Sequence, residues 1–171
     1  MIEKPKIGLN IAVIGGMGSG KTFEIKKRIK QLGGSAFIYD PNEEYIDEVR
    51  NLYTGKMRVK DFAETVNEKS FNAINVFEEA TAFIRHGAPD ENIIDLLTRK
   101  RHKRVINFFV FHSLNAMPAY IYSYLNIIIL FKTADRSDLV FNKYKENKPV
   151  LVAFEKVKTA PKYKPQILKI A

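Results

Sequence analysis

The sequence predicts an α/β fold, a three-layer sandwich whose β-sheet is mainly parallel. Short apolar runs alternate along the chain with segments of helical periodicity. This alternation is typical of a sheet covered by helices on both faces, in which the strands read as continuous apolar runs. The chain has 171 residues, of which 46% are hydrophobic and 27% are charged, as in soluble globular proteins. We therefore expect a single domain over residues 1–171.

Five apolar runs are predicted to form the core strands of the sheet. They lie at 11–14, 36–39, 73–77, 105–111 and 126–131. Apolar residues at helical spacing predict helices at 21–32, 43–52, 61–66, 90–102 and 118–125, and a further one that ends at 84. Asp61 is expected to cap its helix. In the first helix we expect four side chains to be buried, those of Phe23, Ile25, Ile29 and Leu32.

The pattern changes after Asp138. Residues 149–158 and 165–170 are predicted to be the two strands of a C-terminal β-hairpin that turns around Pro161. The core of the domain is accordingly expected at about 9–135, and the basic strand pair at about 148–171.

The formal net charge of +9 indicates a polyanionic partner, most often nucleic acid, with a solvated basic surface as the alternative. One basic cluster covers residues 99–104. The other is C-terminal and consists of Lys143, Lys145, Lys148, Lys156, Lys158, Lys162, Lys164 and Lys169. These lysines are expected either to face DNA phosphates or to protect an edge strand from aggregation.

The chain contains no cysteine, which excludes disulfides and thiolate metal sites. Together with the lack of a secretory signal pattern, this predicts a cytosolic protein. The longest apolar run, near 127–131, is too short to cross a bilayer, so no membrane span is expected.

Residues 15–22 read Gly-Gly-Met-Gly-Ser-Gly-Lys-Thr and match the P-loop pattern G-x-x-x-x-G-K-T. The loop follows a predicted strand and precedes a predicted helix, which is the context that the motif requires. Backbone N–H groups of such a loop cradle phosphates at a helix N-terminus. Lys21 is expected to reach the β- and γ-phosphates and Thr22 to bind Mg²⁺. The expected nucleotide-binding residues are Gly15, Gly16, Met17, Gly18, Ser19, Gly20, Lys21, Thr22 and Phe23.

Two acids, Glu78 and Glu79, end the apolar strand at 73–77, where the Walker B acid of a P-loop protein falls. We expect Glu78 to hold the Mg²⁺ shell and Glu79 to polarise the water that attacks the γ-phosphate. In the alternative reading, both acids only begin the next helix, where negative charge suits the helix dipole. A guanine-specific Asn-Lys-x-Asp motif is absent, and small-molecule kinases usually lack the second acid.

With these residues, the chain resembles the FtsK–HerA superfamily of DNA-pumping ATPases, in particular viral genome-packaging ATPases. Residues 40–45, Asp-Pro-Asn-Glu-Glu-Tyr, are similar to the family's Asp-Pro-x-x-Glu-Tyr turn, and residues 78–80, Glu-Glu-Ala, to its acidic-Glu-Ala signature. Arg101-His102, the strand that follows and Met117-Pro118 resemble the arrangement of the packaging branch. The resemblance covers about three quarters of the chain.

The resemblance implies an ATPase of the additional-strand catalytic-glutamate type that uses ATP and Mg²⁺ to move DNA into a preformed capsid. It also implies a ring, with a homo-hexamer as the expected state, a capsid or portal-vertex partner, and a location in the host cytoplasm or on the virion. Asp40 and Glu44 are expected to tie the second strand to the site. Glu78 replaces the family's usual aspartate.

The resemblance further assigns roles to His112 and to an arginine. His112 stands where the family has a glutamine that senses the γ-phosphate, with a structural strand-end histidine as the alternative. Arg101 is the first candidate for an arginine that acts on the neighbouring subunit's nucleotide, and Arg104 and Arg136 are the next. Residues 99–104 read equally well as a solvated basic helix end.

Three other functions remain open at this stage. One is a filamentous-phage-type assembly or secretion ATPase, which predicts a membrane partner. Another is a nucleotide-dependent switch that turns over little ATP. A phosphotransferase is the third, and it would require a small acceptor and would not respond to DNA.

Overall fold

The computed structural model describes residues 8–33, 35–45, 51–54, 58–84, 87 and 90–170, with only the backbone described at 51–54. The strands are β1 (Leu9–Ile14), β2 (Ala36–Asp40), β3 (Asn51–Thr54), β4 (Ile74–Phe77), β5 (Ile106–Phe111), β6 (Ile127–Leu130) and β7 (Gln166–Lys169). The helices are α1 (Lys21–Leu32), α2 (Val59–Lys69), α3 (Ala80–Phe83), α4 (Glu91–Lys103), α5 (Ala119–Tyr124), α6 (Ser137–Tyr144) and α7 (Lys148–Thr159). None of these helices is long and apolar enough to cross a membrane.

The seven described strands form one sheet in the order β3-β2-β4-β5-β1-β6-β7. The first six are parallel, and β7 runs antiparallel to β6. All six parallel strands therefore end at the same side of the sheet, which we call the carboxyl edge; the opposite side is the amino edge. The predicted α/β fold with a mainly parallel sheet is confirmed.

The core lies on both faces of the sheet because alternate residues of each strand point to opposite sides. In β1, Ala12 and Ile14 belong to one apolar cluster, whereas Ile11 and Val13 belong to the other. Helix α1 covers the second cluster, and α2, α4, α5 and α7 cover the first. The central strands are thus sealed from water, and only their ends are available for chemistry.

A ladder of buried amides crosses the three central strands near the amino edge. Asn10, Asn107 and Asn75 are register partners on β1, β5 and β4, and all three are fully buried. Asn107 Nδ2 donates to Asn10 Oδ1 at 2.9 Å, and Asn75 Nδ2 donates to Asn107 Oδ1 at 2.8 Å. Ser70 Oγ extends the ladder by donating to Asn75 Oδ1 at 2.6 Å. Because a one-residue slip would leave these groups buried without partners, the ladder fixes the register of the strands.

The C-terminal region differs from the prediction. Residues 149–158, predicted to be a strand, belong to helix α7. Val150, Ala153, Phe154 and Val157 recur at helical spacing and are all buried, and Pro149 is compatible with the first turn of a helix. The C-terminal antiparallel strand pair is present, but β7 pairs with β6 instead of with residues 149–158. Helix α6 was also not predicted.

Three other predictions were wrong in part. The helix predicted at 43–52 is not formed at either end. Residues 44–45 lie in a turn, and residues 51–54 form the edge strand β3. Residues 46–50 lie outside the described residues. Asp61 does not cap α2, which begins two residues earlier, and instead pairs with Arg58 at 2.9 Å. Phe23 is 74% exposed, although Ile25 and Ile29 of the same helix are buried as predicted.

Candidate nucleotide site

The loop between β1 and α1 is held open by its backbone. Gly16 N donates to Lys132 O at 2.9 Å, and Gly15 N donates to Phe111 O at 3.1 Å, so the strands on either side anchor the loop. Gly18 and Gly20 have φ angles of 63° and 101°, which residues other than glycine rarely adopt. The loop ends at the first turn of α1, where helix N–H groups have no partner within the helix. This is the geometry of a phosphate cradle.

Lys21 projects from α1 into this loop. Its Nζ donates to Gly15 O at 2.8 Å and to Gly16 O at 3.0 Å, and the residue is only 8% exposed. Burial lowers the pKa of Lys21, while the negative charges of Glu78, Glu79 and Glu44 act in the opposite direction. The ammonium group thus lies between the loop and a group of acids.

A cleft of about 390 Å³ opens at the carboxyl edge in front of the loop. The structure brings together in its lining Met17, Gly18, Ser19, Gly20, Lys21, Thr22, Phe23, Asn42, Glu44, Glu78, Glu79, His112 and Tyr163. Most of the residues predicted from the sequence are in this group. They meet because β1, β4 and β5 are adjacent parallel strands, and the residues that follow each of them emerge at the same edge.

Glu78 is the more buried of the two acids after β4, with 6% of its surface exposed. The Tyr45 hydroxyl donates a hydrogen bond to Glu78 Oε1, and Glu78 N donates to Tyr39 O at 3.1 Å. Burial raises the pKa of Glu78 to about 7, with smaller contributions from Glu44 and Glu79; the Tyr45 hydrogen bond and Lys21 partly offset this rise. Burial therefore disfavours the charged form of Glu78, whereas the Tyr45 hydroxyl and Lys21 favour it.

Glu79 is fixed by contacts to both of its carboxylate oxygens. His112 Nε2 lies 2.6 Å from Glu79 Oε2, and Asn42 Nδ2 donates to Glu79 Oε1 at 3.4 Å. The backbone of Glu79 is left-handed, with a φ of 54°, a conformation that costs a non-glycine residue free energy. Such conformations concentrate at functional sites, where neighbouring contacts impose them.

The turn after β2 contributes a third side to the cleft. Asp40 Oδ2 accepts from Tyr45 N at 2.8 Å, and this contact holds the turn closed. Glu44 Oε2 accepts from Thr22 Oγ1 at 2.8 Å. Glu44 thus links the turn after β2 to Thr22, and Asp40 stabilises the turn that carries Glu44. Tyr45 was not predicted to be part of the site; its place in the Asp-Pro-x-x-Glu-Tyr turn was the available signal.

Arg101 does not reach this cleft within its own chain. It lies in the last turn of α4, beside the start of β5, at the amino edge. The six residues of β1 separate that edge from the loop by roughly 20 Å. Arg104 lies at the same edge. Arg136 instead follows β6 at the carboxyl edge and pairs with Asp138 at 2.8 Å.

The oxygen atoms of the cleft suit a nucleotide-bound Mg²⁺. Mg²⁺ prefers hard oxygen ligands and is usually held by one or two protein groups together with substrate phosphates and waters. Thr22 Oγ1 and the Glu78 carboxylate supply such oxygens beside the phosphate cradle. Among the described residues, no group of three or more His, Cys, Asp or Glu side chains could hold a metal by itself. The residues therefore fit a metal that arrives with the nucleotide.

The fold is similar to that of the genome-packaging NTPase B204 from Sulfolobus turreted icosahedral virus 2. Its structure in complex with ATPγS has a TM-score of 0.78 and 18% sequence identity to this chain, and the match covers 95% of this chain and 92% of the viral protein. The crystal structure of B204, the DNA-packaging ATPase from Sulfolobus turreted icosahedral virus, has a TM-score of 0.77, 20% identity and coverages of 97% and 93%.

A complex of the B204 NTPase with AMPPCP also matches, with a TM-score of 0.74, 18% identity and coverages of 95% and 92%. No protein-family model matches the chain, and no curated protein matches its sequence. The likeness shows the fold.

Proposed function

We propose that this protein is an ATPase that drives DNA translocation, most specifically the packaging of a viral genome into a preformed capsid. The observation that carries the proposal is the meeting of the P-loop lysine, Thr22, Glu78 and Glu79 in one cleft. The fold likeness to a packaging NTPase that binds ATPγS and the net charge of +9 support it.

The first task of the site is to hold the triphosphate. The N–H groups of the loop and the first turn of α1 bind phosphate oxygens, and Lys21 neutralises charge on the β- and γ-phosphates. Lys21 already lies within the loop, bound to two of its carbonyls, so it needs only a small movement to exchange those partners for phosphate oxygens. Thr22 and Glu78 would hold Mg²⁺, which would supply positive charge to neutralise the charge that develops in the transition state.

The second task is to prepare the attacking water. Glu79 accepts a hydrogen bond from this water and orients it in line with the γ-phosphate. Asn42 and His112 hold the carboxylate in place. His112 also acts as the γ-phosphate sensor. The His112 imidazole also contacts Glu79. Gain or loss of a hydrogen bond between His112 and the γ-phosphate therefore alters the position of the catalytic carboxylate.

The third task requires more than one chain. We place this chain in a homo-hexameric ring of the FtsK–HerA type, in which an arginine of one subunit completes the neighbour's site. Arg101 lies at the edge opposite to its own cleft, where it can reach a neighbouring subunit and not the cleft of its own chain.

The basic residues at 99–104 and in the C-terminal region contact DNA phosphates. A capsid or portal-vertex protein anchors the ring in the host cytoplasm or on the virion.

The experiment that tests the proposal is steady-state ATP hydrolysis while double-stranded DNA is titrated, at protein concentrations that allow a ring to assemble. We expect hydrolysis that rises steeply with protein concentration and is stimulated several-fold by DNA. Glu79→Gln is expected to bind ATP and to lose hydrolysis by a factor of roughly 10² or more. Glu64→Gln is the matched control, since Glu64 is an exposed glutamate of helix α2 that does not line the cleft.

Other outcomes point to the alternatives predicted from the sequence. Hydrolysis that does not respond to DNA contradicts a free-standing DNA motor and favours an assembly or secretion ATPase. ATP binding without hydrolysis by the unmodified protein favours a nucleotide switch. Turnover only in the presence of a small acceptor favours a phosphotransferase.

A further inference from the structure

A second cleft adjoins the phosphate cradle and is lined mainly by apolar side chains. It has a volume of about 620 Å³ and is formed by Gly20, Phe23, Glu24, Lys27, Phe131, Tyr163, Pro165 and Ile167. Gly20, Phe23 and Tyr163 also line the phosphate cleft, so the two spaces are continuous. Volumes of this size are typical of sites for small organic ligands.

The apolar side chains around this cleft are unusually exposed. Phe23 is 74% exposed, Tyr163 is 67% exposed and Ile167 is 56% exposed. Exposed apolar residues that cluster on one surface mark binding sites more often than isolated ones do. Phe23 points away from the core although it lies in the first turn of α1, between buried Lys21 and buried Ile25. These side chains contribute little to the core of the fold.

The sheet topology explains why Tyr163 lies at the loop. Strand β7 runs antiparallel to β6, with Gln166 opposite Leu130, so the residues just before β7 are returned to the carboxyl edge. Lys164 N donates a hydrogen bond of 3.0 Å to Pro161 O, which closes a turn. This turn places Tyr163 at the carboxyl edge. Its ring rests against the phosphate loop, since a β-carbon at Gly20 would lie 3.2 Å from Tyr163 Cδ1.

We infer that this cleft holds the base of the nucleotide, with Tyr163 as a stacking platform and Phe23 as the facing apolar wall. The inference rests on the proposed function, because it takes the nucleotide's phosphates to lie on the loop at 15–22. A planar heteroaromatic base is the occupant that fits, since it is attached to those phosphates through the ribose and the cleft begins where the loop ends. Stacking on an aromatic side chain contributes substantially to binding of any base.

We therefore expect Tyr163 to bind the base through its ring and not through its hydroxyl. Glu24 and Lys27 form the polar rim of the cleft, and Glu24 is already paired with Arg28 at 2.7 Å. Base contacts from this cleft are thus dominated by ring stacking and apolar packing. Tyr163→Phe retains the platform and Tyr163→Ala removes it.

The test compares two ligands that differ in whether they carry a base. Calorimetric titrations of the full chain with ATPγS and with tripolyphosphate, both with Mg²⁺, measure the dissociation constants. We expect Tyr163→Ala to weaken ATPγS binding roughly tenfold and to leave tripolyphosphate binding unchanged. Tyr163→Phe should bind both ligands as the unmodified protein does. Phe71→Ala is the matched control, because Phe71 is 58% exposed and precedes β4 at the amino edge.

The inference and the proposed function fail in different ways. Equal weakening of both ligands by Tyr163→Ala would show that Tyr163 acts through the phosphate loop, which overturns the inference. Unchanged ATPγS binding in Tyr163→Ala overturns it too, and an altered oligomeric state of that variant would then assign the cleft to a subunit contact. If the unmodified protein binds neither ligand, the proposed function itself is wrong.

Discussion

The hydroxyl of Tyr45 donates a hydrogen bond to the carboxylate of Glu78 across the top of the sheet. This bond joins the turn after β2 to the acid that follows β4. Both groups are buried, so the bond is not in competition with bulk water. It is also the contact that most strongly favours the charged form of Glu78. Tyr45 is thus a positioning residue for the acid that we propose to hold Mg²⁺.

We predict that Tyr45→Phe destabilises the protein and weakens its use of Mg²⁺. Loss of a hydrogen bond to a buried charged group should lower the free energy of unfolding by roughly 1–3 kcal/mol. The pKa of Glu78 should rise further, because the Tyr45 bond lowers it. Urea denaturation at pH 8 and the Mg²⁺ dependence of nucleotide binding measure the two effects. Tyr124→Phe, at the amino edge, is the control; equal behaviour of the two variants would contradict the role of Tyr45.

The burial of Glu78 predicts how stability changes with pH in the presence of EDTA. The folded pKa of about 7 lies above the ordinary value of 4.5, so the folded state binds more protons than the unfolded state between these values. Stability should therefore fall as the pH rises from about 4.5 to 7, by up to ~3 kcal/mol from this group. Glu78→Gln should lack this loss and be the more stable protein at pH 8. A steeper loss in Glu78→Gln would contradict the prediction.

The short contact between His112 and Glu79 predicts a defect in hydrolysis and not in binding. In His112→Ala the Glu79 carboxylate loses the partner of its Oε2 atom, so the attacking water is less well oriented. We expect the single-turnover rate to fall about tenfold or more with nucleotide affinity nearly unchanged. His112→Gln can still donate to Glu79 and should recover part of the rate. A lower free energy of unfolding with unchanged affinity and rate would instead favour a purely structural strand-end histidine.

Lys162 is predicted to contribute to phosphate binding from the C-terminal turn. A β-carbon at Gly18 would lie 3.6 Å from Lys162 Nζ, so this ammonium lies over the tip of the loop. Lys162→Met should weaken ATPγS and tripolyphosphate alike, by about two- to fivefold, because the side chain is exposed to solvent. Isothermal titration at two salt concentrations measures this, with Lys156→Met on α7 as the control. An effect confined to ATPγS would mean that Lys162 contacts the base or ribose instead.

The parallel core was predictable because its strands are buried on both faces. Runs such as 108–111 are apolar throughout and buried, which leaves little choice of structure. Helix α7 was not recognised because its β-branched valines favour a strand locally, whereas packing against the sheet selects the helix. The edge strand β3 has only four residues, and the apolar residues before it are spaced as in a helix.

The candidate site could be predicted where its residues form a local motif. The loop at 15–22 and the acids at 78–79 each carry their signal within a few neighbouring residues. Tyr163 carries no such signal, because only the antiparallel return of β7 places it beside Gly20. Tyr45 was recognised only as the last residue of the Asp-Pro-x-x-Glu-Tyr turn, although it is fully buried and its hydroxyl donates a hydrogen bond to Glu78.

The amide ladder of Asn10, Asn107 and Asn75 has a consequence for genetics. It lies near the amino edge, yet it sets the level at which β1, β4 and β5 end, and so the relative height of the loop, Glu79 and His112. A screen for heat-sensitive loss of function should therefore return substitutions at Asn107, a residue far from any nucleotide. Such alleles would resemble active-site mutants in their phenotype while leaving every residue of the cleft intact.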